Sequence, residues 1–321
     1  MKKLLSILGR ISISIVLLIF LFKRVDSKAL MDTIKGADWR YLLLAFSIFF
    51  LSYILGIYRW KRLLNSSGVS VSFARTAISF CGGLFFNLFM PSTIGGDLIK
   101  GFDLALYTKK PKEVVSTVLI DRLGGYAGMV IITVTALLFG YRLIPEPSLL
   151  LVMAMVVLIL LSAVLVLFNS FIFDKVNKFL GSGIGGSFFR ALKNVHHEIY
   201  SFRGRKRVLL INLLLSLLMQ ASIPVIFYIT ALSIGLRTGL IYFFVLIPLI
   251  GAITMLPISI GGLGLRDAAT IFFFSKIGVT NNVAFAISLL GFSYTLLISL
   301  MGGIVYVFTL HTRRIQYNKA K

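Results

Sequence analysis

The side chains best suited to chemistry in this chain are charges set close to proline and glycine within otherwise apolar sequence. Residues 90–96 read Met-Pro-Ser-Thr-Ile-Gly-Gly, and residues 256–262 read Leu-Pro-Ile-Ser-Ile-Gly-Gly. Pro91 and Pro257 cannot donate a backbone hydrogen bond, and the pairs Gly95-Gly96 and Gly261-Gly262 adopt non-helical angles readily. A cation stands four residues beyond each pair, Lys100 in the first motif and Arg266 in the second. A helix restarting after the glycines would present unpaired N–H groups and a positive dipole end, which suits a phosphate. Two such ends meeting from opposite faces would cradle an anionic headgroup. Asp97, Asp103 and Asp267 flank the broken segments, and three roles stay open for them: helix cap, partner of the nearby cations, or part of the site. The plainer alternative is a duplication whose Pro-Gly-Gly segments are tight turns.

Asp121-Arg122 lies about seven residues into an apolar block beginning near Val114, roughly 10 Å along a helix. An intramembrane charge costs on the order of 3 kcal/mol, so the pair is expected to face the bundle interior with a partner. If the helix starts later, the pair sits at the interface instead. Arg59, Lys61 and Arg62 follow another apolar block beside Trp60 and read as a cytoplasmic anchor with an aromatic belt. Cys81 is the single cysteine, which excludes an intrachain disulfide and a cysteine metal site and favours plain packing. His196 and His197 are adjacent, so on a helix they point about 100° apart and make a poor metal pair. His311 falls at a membrane edge. No cofactor or metal is expected, and no nucleotide-binding loop suggests ATP as the direct energy source.

The elements that must carry these residues are membrane helices. The chain has 321 residues, of which 58% are hydrophobic and only 14% charged, with a mean hydropathy of +0.96. Soluble domains carry about 25% charged residues, interleaved throughout. Here the apolar residues form blocks at about 4–22, 41–58, 74–90, 114–140, 148–168, 208–233, 240–256 and 283–310, several of them near the roughly 20 residues a spanning helix needs. The net charge of +22 does not indicate nucleic acid, because the basic residues lie between apolar blocks, where they set topology and meet anionic lipid headgroups. The first block follows Met1-Lys-Lys without a small-residue cleavage site after it and reads as an uncleaved span.

Loop charge selects among topologies. Eight spans with both termini cytoplasmic would leave 13 Lys+Arg inside and 19 outside. If instead 74–108 is a hairpin entering from the cytoplasm and 240–278 one entering from outside, six helices span, and the totals become 23 inside and 9 outside. The second arrangement agrees with a repeat at an offset of 166 residues, which aligns the two Pro-Gly-Gly motifs, Lys100 with Arg266, and Gly125 with Gly291. The expected fold is therefore an all-α polytopic membrane helix bundle, one transmembrane domain over 1–321. It has about six spanning helices plus two re-entrant broken hairpins in an inverted repeat, with repeat one at about 41–140 and repeat two at about 208–306. Inverted repeats with broken segments at matching positions point to a transporter binding site. The basic stretch 169–207 is expected to be an amphipathic connector on the cytoplasmic leaflet.

The pattern Asn87-Leu-Phe-Met-Pro-Ser-Thr-Ile-Gly-Gly-Asp97, Asp121-Arg-Leu-Gly-Gly125 and Leu256-Pro-Ile-Ser-Ile-Gly-Gly-Leu-Gly-Leu-Arg266 resembles the membrane domain of the lysylphosphatidylglycerol synthase/flippase family, over nearly the whole chain. The resemblance implies translocation of a polar-headed lipid between leaflets, and the expected cargo is an anionic or aminoacylated phospholipid or a polyprenyl-phosphate carrier of the cytoplasmic membrane. Full-length members also carry a soluble aminoacyl-transferase domain; with the chain ending about eleven residues after the last apolar block, no lysyltransferase activity is expected. In that reading Lys100, Arg122 and Arg266 hold phosphate, and Asp97, Asp121 and Asp267 orient them or meet a cationic headgroup. Pro91, Gly95, Gly96, Pro257, Gly261 and Gly262 shape the site. The expected partners are membrane lipids with phosphate-containing headgroups and no nucleic acid, with a homodimer or a partner synthase left open. Two alternatives stand beside transport: an enzyme acting on lipid-linked substrates, and a non-catalytic partner of a separate lipid synthase.

Overall fold

The computed structural model describes residues 25–90, 93–140, 202, 204–254, 259 and 261–319, with isolated positions within 12–21 and 151–162. The expectations for the first apolar block, the block at 148–168, the connector 169–207, His196-His197, Pro91 and Pro257 therefore lie wholly or largely outside the described residues. The described chain is helical: α1 (Ser27–Lys35), α2 (Trp39–Ser66), α3 (Phe73–Asn87), α4 (Thr93–Thr108), α5 (Pro111–Gly140), α6 (Lys206–Ser233), α7 (Leu240–Thr254), α8 (Leu265–Ser275) and α9 (Asn281–Lys319). Side-chain caps start the early helices. Asp26 accepts from the N–H groups of Lys28 and Ala29, Asp38 from that of Arg40, and Ser72 from that of Arg75.

Four of these helices, α2, α5, α6 and α9 over Asn281–Thr309, are long and apolar enough to cross a membrane. With the exposed apolar side chains along them, such as Phe50, Leu51, Leu214, Leu218, Phe139 and Phe308, they make this an integral membrane protein. The intervening helices are shorter. The 15 and 16 residues of α3 and α4, and the 15 and 11 of α7 and α8, fall below the roughly 20 that a crossing takes.

The two short pairs enter the bundle from opposite ends. The open end of the α3/α4 pair lies beside the C-terminus of α2, where Lys110 Nζ donates to Gly68 O at 2.8 Å and Lys61 lies over the Phe73 ring. The open end of α7/α8 lies at the other end of the molecule, where Phe243 meets Phe274 and Tyr228. Their tips meet in between: the Gly261 N–H donates to Met90 O at 3.4 Å. The helices α2 and α6, which correspond in the sequence repeat, pack antiparallel. Asp38 N–H donates to Ser233 O, Ser52 and Ser222 share a hydrogen bond, and Arg59 reaches Ser216. Small residues permit the close approach of α5 and α6: a Cβ on Gly128 would stand 3.2 Å from Ser216 Cβ.

The glycine pairs do different work in the two hairpins, and here the expectation of a common helix restart is corrected. In the first hairpin, α4 begins at Thr93, so Gly95 and Gly96 lie within the helix. They are packing glycines: a Cβ on Gly95 would collide with Met90, one on Gly96 with the backbone oxygen of Gly83, and one on Gly83 would stand 2.7 Å from Gly96 O. The backbones of α3 and α4 touch there. In the second hairpin the break is real. Gly261, Gly262 and Gly264 all have positive φ (58°, 77° and 78°), and α8 starts only at Leu265. That region of backbone space is open to glycine and costly for other residues.

Candidate functional site

Inside the bundle, three helices deliver charge to one place. Asp121, ten residues into α5, is 4% exposed. Its two oxygens take different cations: Oδ1 accepts from Arg59 Nε of α2 at 2.8 Å, and Oδ2 from Lys100 Nζ of α4 at 3.2 Å. Lys100 also pairs with Asp97 Oδ1 at 2.9 Å, one turn earlier on α4, and Asp97 Oδ2 meets Arg122 Nε at 2.6 Å. Arg59 Nη1 donates to Ser216 Oγ of α6 at 2.6 Å, and Arg122 Nη1 to Tyr126 Oη at 2.9 Å. The Lys100 ammonium lies 5.0 Å from the ring centroids of both Trp60 and Phe80, a cation–π setting that compensates lost hydration. Trp60 is fixed in turn by its Nε1–H donating to Thr117 Oγ1 at 3.1 Å.

The expectation that Asp121-Arg122 faces the interior with partners is met, and the interfacial alternative is not. Lys100 and Arg122, expected to hold phosphate, are held by carboxylates, so a ligand anion would have to compete with Asp97 and Asp121 for them. Asp97 and Asp103 are partners of cations rather than caps. Asp103 pairs with Arg75 at 2.8 Å and accepts from Ser79 Oγ at 2.5 Å, while Arg75 stacks on the Tyr107 ring. Arg59 and Trp60 correct the reading of a membrane-edge anchor: Arg59 is 8% exposed and Trp60 fully buried. The helical register shows why. Gly56, Arg59, Trp60 and Leu63 are buried in α2 at the three-to-four spacing of one face, whereas Lys61 and Arg62 fall off that stripe. Extending the periodicity past the apolar block would have found Arg59.

In the second hairpin, Asp267 is both cap and partner. It is fully buried: Oδ2 accepts from the Gly264 N–H at 2.9 Å, and Oδ1 accepts from Ser288 Oγ at 2.6 Å and pairs with Arg266 Nη2 at 3.0 Å. The expected anion-binding N–H at the start of α8 is thus met by the helix's own carboxylate. Arg266 Nε donates to Ser288 Oγ at 3.1 Å, and its guanidinium lies 4.6 Å from the Phe292 ring centroid.

Three adjoining cavities lie against these groups. A small one of about 50 Å³ is lined by Asp97, Lys100, Gly96 and Asn87. It shares Leu84 and Asn87 with a central cavity of about 180 Å³ between the hairpin tips, bounded by Gly261, Gly262 and Arg266. Arg266, Tyr53, Thr254 and Thr295 also border a third, mainly apolar cavity of about 240 Å³ against α6 and α7. Of the twelve residues singled out in the sequence, the structure brings Gly95, Gly96, Asp97, Lys100, Asp121 and Arg122 together around α4 and α5. It brings Gly261, Gly262, Arg266 and Asp267 together around the start of α8, with the central cavity between the two groups.

Residues 7–303 match the family model described as the lysylphosphatidylglycerol synthase TM region, a span that includes every residue named in these two groups. The chain is also similar to the UPF0104 membrane protein PH1989 of Pyrococcus horikoshii, with 23% identity over 331 residues, 95% of this chain and 96% of that protein.

Proposed function

The chain belongs to the lysylphosphatidylglycerol synthase transmembrane-region family, and from that premise we propose that it moves a polar-headed lipid, anionic or aminoacylated, between the leaflets of the cytoplasmic membrane. The observation that carries this reading is a pair of adjoining cavities that reach buried cations on both hairpins within an apolar bundle. The cavity at Asp97 and Lys100 adjoins the central cavity, which ends on Arg266, and the two cations sit on hairpins entering from opposite ends. Polar and charged groups at membrane depth are expensive and mark substrate pathways, and irregular backbone is tolerated there only where it is buried or lines a wet cavity. The break at Gly261–Gly264 is of that kind.

In this reading α3/α4 and α7/α8 are re-entrant hairpins. A headgroup passes between their tips while the acyl chains stay against the apolar outer faces of α2, α5, α6 and α9. Transfer from one hairpin's cation to the other replaces the cost of taking a bare headgroup through hydrocarbon. Lys100 can turn from Asp97 and Asp121 to an incoming phosphate, because those carboxylates keep Arg122 and Arg59, whereas Arg266 meets the phosphate while still paired with Asp267. The protein transports the lipid and does not modify it.

The test is leaflet exchange of labelled lipids in vesicles holding purified protein. Exchange above empty vesicles is expected for the wild type and is expected to be lost in both Lys100→Ala and Arg266→Ala. No exchange for any lipid, or headgroup chemistry by the isolated protein, would overturn the proposal.

A further inference from the structure

We infer that the central cavity is a binding site for a phosphodiester carrying free hydroxyls, such as a phosphoglycerol or sugar-phosphate headgroup, and that it discriminates against a cationic aminoacylated one. This rests on the transport reading for its setting and narrows its substrate class. The first observation is an asymmetry around Arg266. Arg266 lines the cavity, while its counter-ion Asp267 is fully buried and held by Ser288 and the Gly264 N–H. None of the described residues lining the cavity is an Asp or Glu. The cavity therefore meets the positive end of that ion pair, favourable for phosphate and repulsive toward an ammonium.

The second observation concerns two polar atoms. The Ser259 hydroxyl and the Asn87 side-chain carbonyl are buried with no hydrogen-bond partner among the described residues, and both residues line this cavity. Ser259 is only 2% exposed. Buried polar groups are nearly always paired, and an unpaired one needs an explanation such as a missing ligand or water. A carbonyl acceptor and a hydroxyl, lining the same cavity as a cation, match a polyol attached to a phosphate: the phosphate faces Arg266, one ligand hydroxyl donates to Asn87, and another pairs with Ser259. The volume of about 180 Å³ is below the roughly 300 Å³ of a pocket for a whole drug-sized ligand, so it suits a headgroup. The neighbouring apolar cavity of about 240 Å³, which shares Arg266, would take the first methylenes of the attached chain.

Competition against an acyl-labelled phosphatidylglycerol, bound to the purified full chain in micelles, tests this. The competitors are unlabelled phosphatidylglycerol, lysylphosphatidylglycerol, phosphatidylcholine and glycerol phosphate. Phosphatidylglycerol should compete at least about tenfold better than the lysylated and choline lipids, the scale of one charge-assisted hydrogen bond. Arg266→Gln should erase that preference. Because Arg266→Gln also strips a buried carboxylate of its partner, Ser259→Ala is the second variant. It removes a hydroxyl that bonds none of the described residues, so binding should weaken severalfold while the thermal midpoint does not fall. Glycerol phosphate competing as well as the intact lipid would support the same site chemistry and assign it to a soluble ester. Equal competition by the lysylated lipid, or unchanged binding in both variants, would overturn the inference. Selective binding without leaflet exchange would sink the transport reading and leave this one standing; exchange without headgroup preference would do the reverse.

Discussion

Asp121→Asn is the substitution whose consequence the structure defines most sharply. The carboxylate is 4% exposed and divides its two oxygens between Arg59 at 2.8 Å and Lys100 at 3.2 Å. Asparagine keeps the shape and one acceptor, but its amide places a donor against whichever cation meets it. One charge-assisted bond becomes a neutral one, the other becomes a donor–donor contact, and two buried cations lose a counter-charge. Breaking a buried pair by removing one partner typically costs about 3–5 kcal/mol, and the retained acceptor places the expectation at the lower end, about 3 kcal/mol. The assay is denaturation of purified protein in mixed micelles, followed by loss of helical circular dichroism as the SDS fraction rises. The double variant Arg59→Gln/Asp121→Asn removes a cation with the anion, and should recover about 1–3 kcal/mol relative to the sum of the single changes. An Asp121→Asn protein within about 0.5 kcal/mol of wild type, the usual range of a surface change, would refute the reasoning. So would strict additivity of the pair.

The remaining expectations concern packing, sidedness and guanidinium geometry. Gly83→Ala places a methyl 2.7 Å from the backbone oxygen of Gly96 and should destabilise by about 1–3 kcal/mol as an overpacked contact; a wild-type denaturation curve would show that the hairpin arms are not so close. In a chain freed of Cys81, a cysteine replacing Lys110 and one replacing Arg237, both exposed and at opposite ends of the bundle, should label from opposite sides of the membrane. Only the Arg237 position should react with an impermeant maleimide in intact cells, and same-side labelling would reject the bundle orientation. Arg59→Lys should not be conservative, because Arg59 bonds Asp121 and Ser216 through separate nitrogens and an ammonium cannot span that fork; its stability should fall measurably in the same SDS titration.

Much of the architecture was legible along the chain because bilayer physics acts locally. A run of apolar residues must become a helix, whatever its neighbours do, since no water is present to satisfy a bare backbone. The blocks predicted at 41–58, 114–140, 208–233 and 283–310 accordingly lie within α2, α5, α6 and α9, and Met90 and Gly261 of the two motifs meet at the hairpin tips. Loop charge was legible less cleanly. Arg59, Arg75 and Lys100, counted toward the cytoplasmic side, and Arg266, counted outside, are all in ion pairs within the bundle. Setting them aside lowers the inside total by three and the outside by one, so the asymmetry survives.

That the chain lives in a membrane, and that Asp121 and Arg122 need partners, could be read from the residues alone, because both follow from the cost of a polar group at a known depth. Which charge meets which was decided only by the tertiary structure. Arg59, Asp97, Lys100 and Asp121 come from three separate helices, and their pairing depends on how α2, α4 and α5 rotate about their own axes, set in part by the bare backbone at Gly83, Gly96 and Gly128. The same glycine pair that breaks the helix in the second hairpin packs it in the first. Only the neighbouring helix decides between those outcomes, because an L-residue is excluded in one case by its φ angle and in the other by the backbone oxygen across the contact.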